Sequence, residues 1–267
     1  MLKRLSITVA SCLLLLGGVG IGYAEVPAPP LLVGDLDHSG KADVKDVILA
    51  LRIATGIAEP TQDNLAVGDL SPLVGVNGRD MGDGQIGVAD VLAIMKLVLG
   101  LQTTDAYAYT GALNAGAEVD GKTIGEWGKE WSLWFYGMGA APTGPKFMES
   151  LGSNKDTGQA KGTFDEVTQA GSPLVLAVAG GIHPNPDMLA EYLNSLQVEL
   201  YVDGRPVVNP KNYIAGPSLV DLGEYGAAYV EQIVLGFRFS KGNHVVWRFS
   251  HSPEWGDIDA TYNIVAQ

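Results

Sequence analysis

The chain has little cysteine and little positive charge, and it lacks any phosphate or dinucleotide motif. Its single cysteine, Cys12, lies inside the first apolar run. No disulfide framework and no thiol chemistry can be built beyond that point. Lys and Arg number 17 against 30 Asp and Glu, for a formal charge of −13. Nucleic acid recognition needs clustered basic side chains, so no nucleic-acid partner is expected. Ser172 sits in no nucleophile elbow. His183, His244 and His251 have neither HxH nor HExxH spacing, and His244 and His251, seven apart, would face opposite sides of a straight strand. What is plentiful is glycine, 35 of 267 residues, roughly twice the usual share. That favours a turn-rich, β-rich body.

The first 24 residues read as a signal peptide. Lys3 and Arg4 give a positive start, Leu5 to Gly22 is apolar, and Gly22-Tyr23-Ala24 places small residues where a signal peptidase cuts. A retained anchor helix is one alternative, and a lipoprotein box at Val9–Cys12 is another. Cleavage after Ala24 leaves no run long enough to span a membrane and predicts a secreted or cell-surface bacterial protein. Residues 25–30 are a Pro-rich spacer.

Residues 31–101 contain an internal repeat. Asp46–Ile57 aligns with Asp90–Leu101 at a fixed offset of 44, matching Arg52 to Lys96 and Gly56 to Gly100. Val44, Val47, Ile48 and Leu51 fall at helical spacing, as do Val88, Val91, Leu92 and Met95. The pattern predicts two amphipathic helices packed through these stripes, each closed by its glycine. A unit of this size has a thin core.

Each helix is preceded by an acidic loop. Counted from Asp35, the side chains of Asp35, Asp37 and Ser39 stand at positions 1, 3 and 5, and Gly40 stands at the sharp turn. The Lys41 carbonyl, a water-bridged Asp43 and the Asp46 carboxylate complete the order of an EF-hand calcium loop, with Asp in place of Glu at the end. Alternate residues of a tight loop can aim hard oxygens inward, and a bound cation turns their repulsion into a cross-link. The competing reading is a solvated acidic turn. In the second loop, Asp69, Ser71, Asp83, Gln85 and Asp90 fit positions 1, 3, 5, 7 and 12 if ten inserted residues loop out; Asp80 could instead replace an early ligand. Two Ca2+ ions are expected.

Two loops in tandem, each followed by one helix, resemble a dockerin domain. The resemblance implies a calcium-dependent fold and a cohesin-like or cell-surface partner. Dockerins usually present a Ser-Thr-like pair at loop positions 10 and 11, where this chain has Val44-Lys45 and Val88-Ala89, while Arg52 and Lys96 fill the basic places beyond. Dockerin-like modules often accompany polysaccharide-degrading enzymes, so a polysaccharide partner is also implied.

Residues 102–110 read as a polar linker and 111–267 as a β-rich domain. Thr123 and Glu126 form a capping box for a helix to Tyr136, whose Ile124, Trp127, Trp131, Trp134 and Phe135 share one face. That face is either core or a platform for sugar rings. Pro173–Gly180 is an apolar strand, Asp203-Gly204 is the turn of a hairpin, Lys241-Gly242-Asn243 is the turn of another, and Ile258–Gln267 is a last strand. The fold class is therefore α+β with two domains: a small helical calcium-loop domain, then an antiparallel β-sandwich or jelly roll with one aromatic-rich helix.

Glu126, Trp127 and Trp131, the Leu200–Val207 segment and Tyr262–Val265 resemble an exported bacterial family of unknown function, without that family's paired cysteines. This supplies no mechanism. Glu254, Asp257 and Asp259 could furnish a glycosidase pair, though a solvated acidic loop explains them better. No catalytic residue stands out. The expected function is an exported calcium-binding protein whose β-rich part binds or builds structure. The alternative is a carbohydrate-active enzyme or a sugar-binding module using Trp127, Trp131 or Trp247.

Overall fold

The computed structural model describes residues 31–73, 81–148, 161–223, 226–253 and 256–267. The leader, the spacer, Asp80 and Glu254 lie outside the described residues. The fold is mixed α+β.

Helix α1 (Val44–Ala54) begins with a reciprocal cap in which Asp43 accepts from Lys45 N and Asp46 reaches back to the Asp43 amide. A short helix α2 (Gln62–Gly68) is capped by Thr61 and Asn64. Helix α3 (Val88–Val98) has Asp90 on the Gly87 amide. The repeat extends to the helix ends. Gly56 N and Ile57 N bond the carbonyls of Ile53 and Arg52, and Gly100 N and Leu101 N bond those of Leu97 and Lys96. Both glycines are left-handed, with φ of +72° and +66°.

The expected helix faces are corrected by the structure. Val44, Ile48, Leu51, Val88 and Leu92 are exposed. The buried stripes are Asp46, Ala50 and Ile53 on α1 and Asp90, Val91 and Ile94 on α3. The cause is the carboxylate. Asp46 and Asp90 must point into their loops, and residues four and seven further on then share that direction. Helix phase is set by the loop-facing acid: of the expected stripes Val91 stays buried and Val47 and Met95 half-buried, while the other five apolar residues turn to solvent.

The β-rich part begins with a small pair, β1 (Glu118–Val119) and β2 (Lys122–Thr123), leading into α4 (Ile124–Phe135). Strands β3 (Lys146–Phe147), β5 (Pro173–His183), β8 (Ile214–Asp221) and β9 (Ala227–Arg238) form a sheet in the order β3-β5-β9-β8. Strands β4 (Lys161–Thr168), β6 (Gln197–Val202), β7 (Arg205–Pro206), β10 (Gly242–Ser252) and β11 (Gly256–Ala266) form another, ordered β4-β11-β10-β6-β7. Helix α5 (Pro186–Ser195), capped by Asn185, follows β5. One core cluster joins the sheets: Leu174, Leu176, Ile233, Leu235 and Phe237 from the first meet Leu200, Val246, Tyr262 and Ile264 from the second.

The Asp203-Gly204 hairpin is present, with φ of +50° and +73° as its turn type requires. The second expected hairpin is not. Strands β9 and β10 are consecutive but belong to different sheets, so Phe239 to Lys241 is a crossing between layers. Nor is the β part purely antiparallel, because β4 runs parallel to β11 and β3 parallel to β5. Alternation reveals a strand but not its neighbour.

Residues 102–110, expected as a free linker, are docked. Tyr107 and Tyr109 are buried, the Arg205 guanidinium donates to the carbonyls of Tyr107 and Ala108, and Tyr109 N bonds Pro206 O. Val33 N also donates to Gly204 O at 3.0 Å, and a Cβ at Gly204 would lie 2.9 Å from Val67. The β6–β7 turn is thus where the helical region meets the sheets.

Candidate metal centre

The first acidic loop wraps around its own carboxylates. Asp35 is fully buried; its Oδ1 accepts from Ser39 N at 2.9 Å and its Oδ2 from Gly40 N at 2.8 Å. Asp46, also buried, accepts from Asp37 N at 2.9 Å and from Asp43 N at 2.7 Å. Asp37 is exposed and accepts from Ser39 N at 3.1 Å. Left-handed backbone at His38 (φ +56°) and Gly40 (φ +90°) makes the turn that brings these amides inward. One carboxylate oxygen from each of Asp35, Asp37 and Asp46 lies within 4.8 Å of the others, the one such acidic group among the described residues.

The remaining predicted ligands stand beside this triad. Ser39 Oγ donates to the Lys41 carbonyl at 3.3 Å, so both oxygens lie on one side of the loop. Asp43 uses one oxygen as the cap of α1, and its other oxygen lies 3.6 Å from Lys41 Nζ. The Lys45 amide in this cap is the main reason its carboxyl sits below the usual range. Burial pushes the Asp35 carboxyl upward, against the amides of Gly40 and Ser39, and the nearby charges of Asp46 and Asp37 raise it further. A cation offers what the loop's own groups do not: positive charge amid buried carboxylates.

The second loop repeats this network. Asp69 Oδ1 accepts from Asp83 N at 3.0 Å and its Oδ2 from Gly84 N at 2.6 Å. Asp90 Oδ1 takes Ser71 N at 2.7 Å and Leu70 N at 2.8 Å, and its Oδ2 takes Gly87 N. Gly84, like Gly40, is left-handed at φ +95°. Asp83 accepts from Gln85 N. The insertion is closed at its base by Gly82 N on Pro72 O at 2.9 Å, which returns the chain to register. Burial raises the carboxyls of both Asp69 and Asp90; the charges of Asp90 and Asp83 raise the first further, and that of Asp83 the second. Asn64 escaped the sequence reading. Its amide nitrogen donates to Leu36 O at 2.9 Å and ties α2 to the first loop; the Thr61-x-x-Asn64 spacing was its only signal.

The other candidates separate. Trp127 and Trp131 are buried against Phe147, Val175 and Val234, so the aromatic face of α4 is core, and Trp127 Nε1 donates to Val119 O. His183 lies at the end of β5, His244 points inward from β10 between Asp203 and Ser240 O, and His251 points outward to Asp257. The three do not converge. Asp257 and Asp259 lie on the outer side of β11, engaged by His251 and by the Trp247 indole. Two shallow depressions flank α4, of about 280 and 320 Å³; the first contains Glu126, already committed to its helix cap, and Lys129.

No family model matches the chain, and no curated protein matches it. Among solved structures, the solution structure of amebosin is similar to part of it, at 10% identity and a TM-score of 0.20, covering 39% of this chain and 89% of that one. A likeness at that level carries no argument.

Proposed function

We propose that the chain is an exported, calcium-stabilised docking protein without catalytic activity. In this reading residues 31–101 are a dockerin-like module, and residues 111–267 are a β-sandwich domain that binds or builds structure. The observation that carries it is the repetition, at the first and last acid of each loop, of buried carboxylates accepting main-chain amides from matching positions, in two loops whose sequences differ by a ten-residue insertion. A solvated acidic turn has no reason to bury its acids, nor to rebuild the same network after an insertion.

Asp35, Asp37, Ser39, Asp46 and the Lys41 carbonyl would hold the first ion, with Asp43 reached through water. Asp69, Ser71, Asp83, Asp90 and the Gln85 carbonyl would hold the second. The ion neutralises the buried acids and ties each loop to its helix. The exposed stripes on α1 and α3 support a protein partner, since they offer apolar surface at repeat-related positions. Among the described residues no helix is long and apolar enough to cross a membrane.

All five tryptophans lie beyond residue 126, so their fluorescence reports the β-rich part alone. EDTA added to the full chain is expected to remove helical circular dichroism while tryptophan emission holds, and calorimetry should find two calcium sites on restoration. Helicity indifferent to EDTA, together with no heat on adding calcium, would sink the proposal.

A further inference from the structure

The two sheets differ on their outer faces. That of the four-stranded sheet is closed by α4, whose Trp127 and Trp131 pack on Val175 and Val234. The outer face of the five-stranded sheet carries instead a row of half-buried rings. Tyr201 of β6 stands opposite Trp247 of β10 with ring centroids 5.3 Å apart. Phe249 follows on β10, 6.3 Å from Trp247 and inclined to it by only 14°. All three are half-buried, although β10 is the middle strand of the sheet and its inward neighbours Val246 and Arg248 are fully enclosed.

Cross-strand aromatic contact accounts for the rings touching one another. It does not account for their remaining partly exposed at the centre of a sheet whose companion sheet is covered. The surroundings indicate what such rings would meet. Asp259 accepts the Trp247 indole N–H at 2.8 Å, Asp257 pairs with His251 at 2.6 Å, and Glu199 stands exposed opposite Phe249. Flat apolar rings rimmed by oxygen acceptors complement a pyranose, which has an apolar C–H face and a rim of hydroxyl donors. The rim is acidic, which repels polyanions, and hydroxyl-poor apolar chains would leave its carboxylates stripped of water without partners.

We propose that this face, centred on Tyr201, Trp247 and Phe249, binds a neutral, extended polysaccharide. The proposal stands apart from the calcium reading, because no loop residue lies on this face. The test is affinity electrophoresis of the full chain through gels holding hydroxyethylcellulose, xyloglucan or galactomannan, with polygalacturonate as the polyanion. At least one neutral polymer should retard the protein. Trp247→Ala should weaken that retardation about tenfold or more, and Tyr201→Ala should act in the same direction from a different strand. Trp131→Phe, in the core, should leave it unchanged, and unaltered circular dichroism of the variants would separate lost binding from lost folding. Retardation should persist in EDTA. Failure of every neutral polymer, stronger retardation by polygalacturonate, or equal retardation of the Trp247 and Tyr201 variants would overturn the assignment.

Discussion

In residues 31–101 the buried charge is carboxylate, held by main-chain amides; in the β-rich part its most enclosed counterpart is a guanidinium held by main-chain carbonyls. Asp35 and Asp46 each accept two amides. Arg248 bridges the two sheets by donating to the carbonyls of Ala177 at 2.6 Å and Val178 at 3.2 Å, where β5 slips register against β9. Both devices satisfy polar groups, yet they differ in what they leave over. The acids of a loop crowd one another, and the charges of Asp46 and Asp37 make Asp35 harder to ionise. The Arg248 guanidinium donates to uncharged carbonyls. On the proposed reading the helical region draws its stability from a bound cation, whereas the sheets need none.

The largest expected effect tests the first half of that contrast. Asp46→Ala removes a proposed ligand and leaves the amides of Asp37 and Asp43 without their acceptor. With calcium present it should cost the helical region roughly 3–5 kcal/mol, read as lost helicity at unchanged tryptophan emission. Asp90→Ala should do the same through the second loop. If either variant melts the sheets first, the two regions are not separable in the way argued. The second half is tested by Arg248→Leu, which strips a donor from two buried carbonyls. It should lower β-region stability by about 2–4 kcal/mol, while calcium affinity stays the same. A variant whose calcium affinity falls in step would show the regions to be one cooperative unit.

The tight turns of the loops were legible in the sequence because acids at alternate positions around a glycine need main-chain amides folded towards them. The register of the second loop was legible too, since Asp83 to Asp90 keeps the spacing of Ser39 to Asp46. Helix phase was not, because hydrophobic periodicity ranks residues by apolarity and carries no weight for an acid that must face inward. Val44 and Ile48 are the more apolar choice, yet Asp46 and Ala50 are the buried one. Strand existence was readable from alternation in Gln197–Val202 and His244–Phe249; strand partnership was not, because nothing in Phe239 to Lys241 distinguishes a hairpin turn from a crossing between sheets. Trp127 and Trp131 illustrate the same limit: helical spacing put them on one face, and only the sheet beneath α4 identifies that face as core.

The smallest effect concerns the one acid that breaks the pattern. Glu231 on β9 is buried opposite Gly181, and its Oε2 has no hydrogen-bond partner among the described residues. Burial alone raises its carboxyl above the usual range. A group whose folded-state value is raised favours the fold fully while the unfolded chain is also protonated, and that contribution is lost as pH climbs through the raised value. The β-region should thus weaken from mildly acidic to neutral pH by way of Glu231. Glu231→Gln keeps the shape and removes the ionisation, so it should flatten that slope and stabilise the protein at neutral pH by about 1–3 kcal/mol, a rise of several degrees in Tm. The loop acids could produce a similar slope once calcium is withdrawn, so the measurement belongs in saturating calcium. There the slope should vanish with Glu231→Gln. A slope that survives the substitution would place the pH sensitivity in another acid and remove Glu231 from that role.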